Sequence, residues 1–160
     1  MADEHQYCTF YVAGHYFGLD VLRVQEIIRH QEITRVPLAP PVVCGLMNLR
    51  GQIITAIDLR RRLGLTERPA DQPPLNVVVH TDDGAVSLLV DEIGDVLEVS
   101  EKLFERPPET LRGPARELIR GAYKLPDRLL LILDTERAVN VTGQADFINR
   151  QAPQITEPKS

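Results

Sequence analysis

One pattern occurs twice in this chain, and it limits the possible folds more than any other feature. A glycine opens an apolar run, a polar turn and a second apolar run follow, and an aspartate closes the unit ahead of a few helix-forming residues. The first copy runs from Gly45 to Asp58 and the second from Gly121 to Asp134, each spanning 13 positions, with the copies 76 residues apart. In the first, Gly45 to Leu49 and Ile53 to Ile57 read as strands, and Arg50-Gly51-Gln52 supplies the tolerance for positive φ that a tight hairpin needs. Arg50 then stands at the hairpin tip. Asp58 is placed to cap a short helix over Leu59 to Leu63, with Arg60, Arg61 and Arg62 near its negative end and Gly64 to stop it. In the second copy Leu129 to Leu133 is the incoming strand, Asp134 the cap, and Thr135 to Asn140 the helix. The recurrence predicts two halves on one β plan.

The remaining segments fill out that plan. Tyr7 to Ala13 and Tyr16 to Asp20 read as strands around Gly14-His15, and the apolar spacing of Val21, Val24, Ile27 and Ile28 predicts a short helix after them. Glu32 to Val36 is extended, and Pro37, Pro40 and Pro41 force an irregular crossing because each removes a donor. Thr66 to Pro74 is a polar, proline-rich surface connection. Leu75 to His80 and Ala85 to Val90 flank an Asp83-Gly84 turn, and Ile93 to Val99 is expected to complete a three-stranded meander. Ser100 to Leu111 should begin with a helical turn and continue as a loop, and Leu118 to Lys124 is a further strand. About ten strands with brief helices make an all-β fold, with paired small barrels whose closure hides sheet edges. A single domain over 1–145 is expected, with one lobe at about 16–68, the other at about 7–14 plus 74–141, and a fraying polar tail over 146–160.

Composition excludes several functions. With 43% hydrophobic residues, 5% aromatic and no Trp, the core must be built from Val, Ile and Leu. A net charge of -5, with basic residues interspersed among acidic ones, argues against nucleic acid as a partner. The acidic start Met1 to Gln6 is unlike a secretory signal, and no apolar run approaches the roughly 18 residues of a membrane span, so a cytoplasmic protein without membrane insertion is expected. Cys8 and Cys44 are neither a disulfide framework nor a CxxC pair and read as small buried hydrophobes. His5, His15, His30 and His80 share no ligand spacing, so no metal is expected. The serines lack a nucleophile motif, Asp91-Glu92 point to opposite strand faces, and no glycine-rich phosphate loop or cofactor motif is present. The chain reads as a binding protein and not an enzyme.

Spaced blocks then give a resemblance. Tyr16-Phe17-Gly18-Leu19-Asp20-Val21, Val24-Gln25-Glu26-Ile27, Ile33-Thr34-Arg35-Val36-Pro37, and Asn48-Leu49-Arg50-Gly51 with Asp58-Leu59 resemble the CheW family of chemotaxis coupling proteins over roughly residues 7–141. Val90-Asp91, Asp95-Val96, Arg106-Pro107-Pro108, and Gly121 with Asp127-Arg128 extend it. The resemblance implies two SH3-like five-stranded β-barrels and a non-enzymatic adaptor. Such an adaptor holds the histidine kinase CheA, through its regulatory domain, against the cytoplasmic tip of methyl-accepting chemotaxis receptors. It also implies protein-binding roles for Val24, Glu26, Gly45 and Arg50, with Ile93 and Val96 on the opposite wall of a groove between the barrels and Glu26 close enough to pair with Arg50. From spacing alone Val24, Ile93 and Val96 are equally core positions. Thr55 stands where the family often has Pro, and Ser87 where it has a small Gly in a groove-facing strand. Related adaptors serve pilus, gliding or second-messenger pathways, and a small nucleic-acid-binding barrel using Arg60 to Arg62 is the distant alternative.

Overall fold

The computed structural model describes residues 4–140. Ten strands and three short helices follow in order: β1 (Glu4–Val12), β2 (His15–Asp20), β3 (Val24–Ile28), β4 (Val43–Leu49), β5 (Gln52–Asp58), α1 (Leu59–Arg62), β6 (Leu75–Thr81), β7 (Gly84–Val90), β8 (Glu92–Ser100), α2 (Pro114–Leu118), β9 (Ile119–Lys124), β10 (Leu129–Leu133) and α3 (Thr135–Val139). They form two five-stranded sheets, one ordered β8-β1-β2-β10-β9 and the other β3-β6-β7-β5-β4. Both have the same plan of an edge strand, an antiparallel hairpin, one parallel step (β2 with β10, β7 with β5) and an antiparallel pair. The repeat read from Gly45 and Gly121 is therefore real in three dimensions. Each sheet joins the hairpin of one repeat to the three strands of the other.

That exchange changes the expected lobe limits. One sheet is continuous over residues 24–90, and the other takes 4–20 together with 92–133. The meander expected over Leu75 to Val99 breaks at Asp91. β7 already pairs with β6 on one side and with β5 on the other, so β8 crosses to the partner sheet and pairs with β1. The helix expected over Val21 to Ile28 is a 3₁₀ turn at Val21–Arg23 followed by β3. The β-branched Val24, Ile27 and Ile28 favour a strand, and a register shift between Val24 and Glu26 disguises its alternation as helical spacing. α2 lies mostly between the expected loop ending at Leu111 and the strand expected from Leu118, where no element is expected; its sequence signal is Pro114 at the first helical position.

Alternation along the strands explains why so many are buried on both faces. Val77 and Val79 of β6, Val86, Leu88 and Val90 of β7, and Leu131 and Leu133 of β10 enter one core together with Phe10, Phe17 and Leu19. Their neighbours turn the other way. Val78 and Leu89 pack with Met47, Ile54 and Ala56 inside one lobe, and Leu130 and Ile132 pack with Tyr7, Tyr16 and Tyr123 inside the other. The larger core is thus built by both sheets, and each lobe keeps a smaller one of its own.

The lobes are SH3-like but are not laddered into full cylinders: among the described residues no strand pairing joins the outer strands of either sheet. Instead a single bridge lays Thr34 against Leu46 of β4, and another lays Glu105 against Ala122 of β9. The glycine beside each bridge makes this approach possible. A Cβ on Gly45 would collide with the Thr34 carbonyl and stand 2.7 Å from Ile33 Cγ2; one on Gly121 would meet the Phe104 ring and stand 2.6 Å from the Glu105 carbonyl. Gly45→Ala is therefore expected to lower stability by about 1–3 kcal/mol, measured as a reduced urea midpoint at unchanged slope.

Candidate protein-binding surfaces

The β4–β5 hairpin closes with a two-residue turn in which Arg50 has φ of 53° and Gly51 of 87°. Both values lie in the left-handed region that a type I′ turn demands. Asn48 braces it: its Oδ1 accepts the Gly51 N–H at 2.9 Å, and its carbonyl accepts from Gln31 Nε2 at 2.9 Å. Held there, the Arg50 guanidinium makes a two-pronged pair with Glu26 on β3, Nη1 to Oε2 at 2.5 Å and Nη2 to Oε1 at 2.8 Å. Hydrogen bonding to Arg50 holds the Glu26 carboxyl below its usual pKa and raises that of Arg50. The Arg50 side chain is 70% exposed and that of Glu26 23%, so the fork still faces solvent. β3 and β4 are the two outer strands of this sheet, so the pair shows that the sheet curls until its margins meet. Ile27 and Ile53 are exposed nearby in the chain, one on β3 and one at the start of β5.

The other residues singled out from sequence take different places. Val24 and Ile93 are half-buried against the shared core, from β3 and β8 respectively. Val96 is 55% exposed on β8. Gly45 is buried beneath Thr34 and presents no side chain to a partner. Ser87 does not line a groove: it is fully buried in β7, and its hydroxyl donates to Asn76 Oδ1 at 2.9 Å. Cys8 and Cys44 are half-buried free thiols whose pKa burial raises.

Sequence reading missed what surrounds Asp91, the residue at which the chain crosses between sheets. Its carboxylate accepts from Arg60 Nη2 at 2.6 Å, from the Ala13 N–H at 2.7 Å and from Arg68 Nε at 3.1 Å. Arg60 reaches on to the Thr66 and Glu67 carbonyls, both at 3.0 Å. The side chains of Arg60, Asp91 and Arg68 are each at most 9% exposed. Helix α1, the turn after β1, the 66–74 connection and the start of β8 are thereby fixed to one point. Arg62 is also engaged, donating to the Ala138 and Arg137 carbonyls at the end of α3, and Arg61 donates to the Pro41 carbonyl. Arg60 is therefore buried, and Arg61 and Arg62 already have partners of their own, against the phosphate-binding alternative. A cue existed in Leu88-Leu89-Val90-Asp91, an acid directly following an apolar run.

The counterpart of the Arg50 hairpin in the other sheet, the β9–β10 turn, also carries an arginine. Arg128 lies 4.3 Å from the Tyr16 ring centroid and donates to the Tyr11 hydroxyl. Among the described residues there is no group of three or more His, Cys, Asp or Glu arranged to hold a metal, and no helix is long and apolar enough to cross a membrane.

Comparison with known proteins agrees with this geometry. Residues 6–142 match the CheW-like domain. The chain belongs to that family. It is 33% identical over 144 residues to chemotaxis protein CheW of Bacillus subtilis (strain 168), covering 90% of this chain and 92% of that one. It is 29% identical over 139 residues to chemotaxis protein CheW of Treponema pallidum (strain Nichols), covering 84% and 82%. The crystal structure of scaffolding protein TtCheW from Thermoanaerobacter tengcongensis superimposes with a TM-score of 0.78 at 28% identity, covering 87% of this chain and 94% of that chain. Family membership thus makes this CheW-like chain a scaffold or adaptor of the chemotaxis type.

Burial alone raises the Asp91 pKa, but the bonds from Arg60, the Ala13 N–H and Arg68 outweigh it and leave the carboxyl below its ordinary 3.8. A depressed folded pKa contributes stability that is present above the unfolded value and is lost as pH falls through the folded one. Stability should therefore decline on acidification below about pH 4, and Asp91→Asn should shallow that decline. At neutral pH the variant strands two buried guanidinium groups and is expected to cost about 3 kcal/mol or more, read from urea unfolding at pH 7 and pH 3.

Proposed function

We propose that this protein is a non-enzymatic adaptor that couples methyl-accepting chemotaxis receptors to the regulatory domain of the histidine kinase CheA, in the cytoplasm at receptor arrays. The observation that carries the reading is the Arg50–Glu26 pair, a planar fork held rigidly on a hairpin tip yet open to solvent. A solvated arginine with no task would gain little from such bracing, because surface ion pairs contribute about 0–1 kcal/mol. Presented to a helical partner, the fork offers spare donors, and arginine is favoured as an interface anchor. Glu26 acts as the residue that orients Arg50. Val24 and Ile93, at the margin of the shared core, and Val96, exposed on β8, provide the apolar part of the surface. Gly45 contributes indirectly, by letting the Thr34 segment lie flat on β4.

Arg50→Glu places two carboxylates together at the hairpin, and co-sedimentation of receptor, kinase and adaptor should then be lost while the melting temperature changes little. The double exchange Arg50→Glu with Glu26→Arg restores an internal ion pair but presents the wrong charge at the tip. It should fold normally and still fail to assemble. Retained ternary assembly by either variant would reject the hairpin as the contact.

A further inference from the structure

Glu26 reaches Arg50 only because β3 contains an irregularity. In a regular strand, residues two apart share a face. Val24 pairs with Val79 and packs on the shared core, whereas Glu26 pairs with Val78, which belongs to the lobe's own core, so the two turn opposite ways. Gln25 is the extra residue between them, a bulge. Without it the later part of β3 would stand one position along β6. Glu26 would then lie opposite Val77, on the shared-core face, and the pair with Arg50 would be lost. β3 is an outer strand laddered to β6 alone among the described residues, so β6 has to hold the register.

A polar pair buried in the same lobe is placed to do so. Asn76 of β6 is 1% exposed and Ser87 of β7 is 0% exposed. Ser87 stands opposite Val78 on one side and Ala56 on the other, both members of the lobe's own core. Two apolar side chains would fill this space at less cost, because every buried polar group has to be desolvated. What the polar pair adds is direction. The Ser87 hydroxyl donates to Asn76 Oδ1 at 2.9 Å, which leaves the amide nitrogen of Asn76 free to donate, and that Nδ2 reaches the Ile28 carbonyl at 3.4 Å. Ile28 is the last residue of β3 and stands opposite Asn76; in the slipped register Ile27 would take its place. We infer that Asn76, oriented by Ser87, is a positioning residue that pins the end of β3 in the register that keeps the Gln25 bulge and turns Glu26 toward Arg50. This deepens the function proposed above, since its binding consequence rests on the hairpin being the receptor contact.

The test uses the full chain and reads the Glu26 carboxyl by NMR titration of the free protein, where hydrogen bonding to Arg50 holds it below its ordinary 4.5. The double variant Asn76→Leu with Ser87→Ala removes both polar partners and strands neither, so it should melt within about 5 °C of the native chain. Its Glu26 carboxyl should nevertheless rise to the ordinary value of 4.5, and its affinity for a receptor-tip fragment should fall about fivefold or more. A merely structural role for the pair would lower the melting temperature and leave the Glu26 titration in place. An unmoved titration in the folded double variant therefore overturns the inference and leaves the coupling function standing. A released Glu26 with undiminished receptor affinity upholds the positioning and overturns the hairpin as the receptor contact. Should the double variant not fold, Ser87→Ala decides: it removes only the hydroxyl, the Glu26 titration should rise by a measurable part of the same shift, and no rise overturns the inference.

Discussion

The carboxylate of Asp91 is the point to which the rest of the molecule is tied. It lies where the backbone leaves one sheet for the other, and its ligands come from elements that share no secondary structure: the turn after β1, helix α1 and the 66–74 connection. A buried acid with two arginines is expensive to desolvate, and replacing such a cluster with apolar groups often stabilises a protein. What the cluster supplies is location. An apolar junction would let β8 leave at any of several registers, whereas this set of donors is satisfied in one. The register of β8 in turn sets where Ile93 and Val96 stand relative to β3.

The exchange of hairpins between repeats makes the two sheets one mechanical object. The larger core belongs to neither alone, since Val77, Val79 and Leu88 of one sheet pack with Phe10, Phe17 and Leu131 of the other. Arg62 adds a polar tie by reaching from α1 to the end of α3. A scaffold benefits from this construction because its output is geometry. Arg50, on its type I′ turn, directly follows the last residue of β4, so the strand fixes where it stands.

Much of this was legible beforehand because it depends on local chemistry. Asp58 and Asp134 mark caps whose requirements are met within a few residues, and the caps appear as expected, with the Asp58 and Asp134 side chains accepting helix N–H groups. The 21–28 segment was misread because a bulge shifts its period, and the 75–99 meander because strand partners are a non-local choice: nothing in the sequence of β8 reveals that β5 has already occupied the free side of β7. The Arg60 triplet lies in the last turn of α1 as its spacing after Asp58 implies, but only the fold shows that Asp91, 31 positions from Arg60, is that residue's partner. Ser87, taken for a groove residue, is internal because both faces of β7 are covered.

Site-resolved native-state hydrogen exchange tests most directly whether the two sheets form a single rigid scaffold. The interlocked repeats predict that the most protected amides of β1, β2, β9 and β10 and those of β4 to β7 exchange through one opening, at the free energy of global unfolding. If the amides of one sheet exchange through an opening of clearly lower free energy while those of the other remain protected, the sheets are independent units and the fixed geometry claimed for the adaptor does not exist.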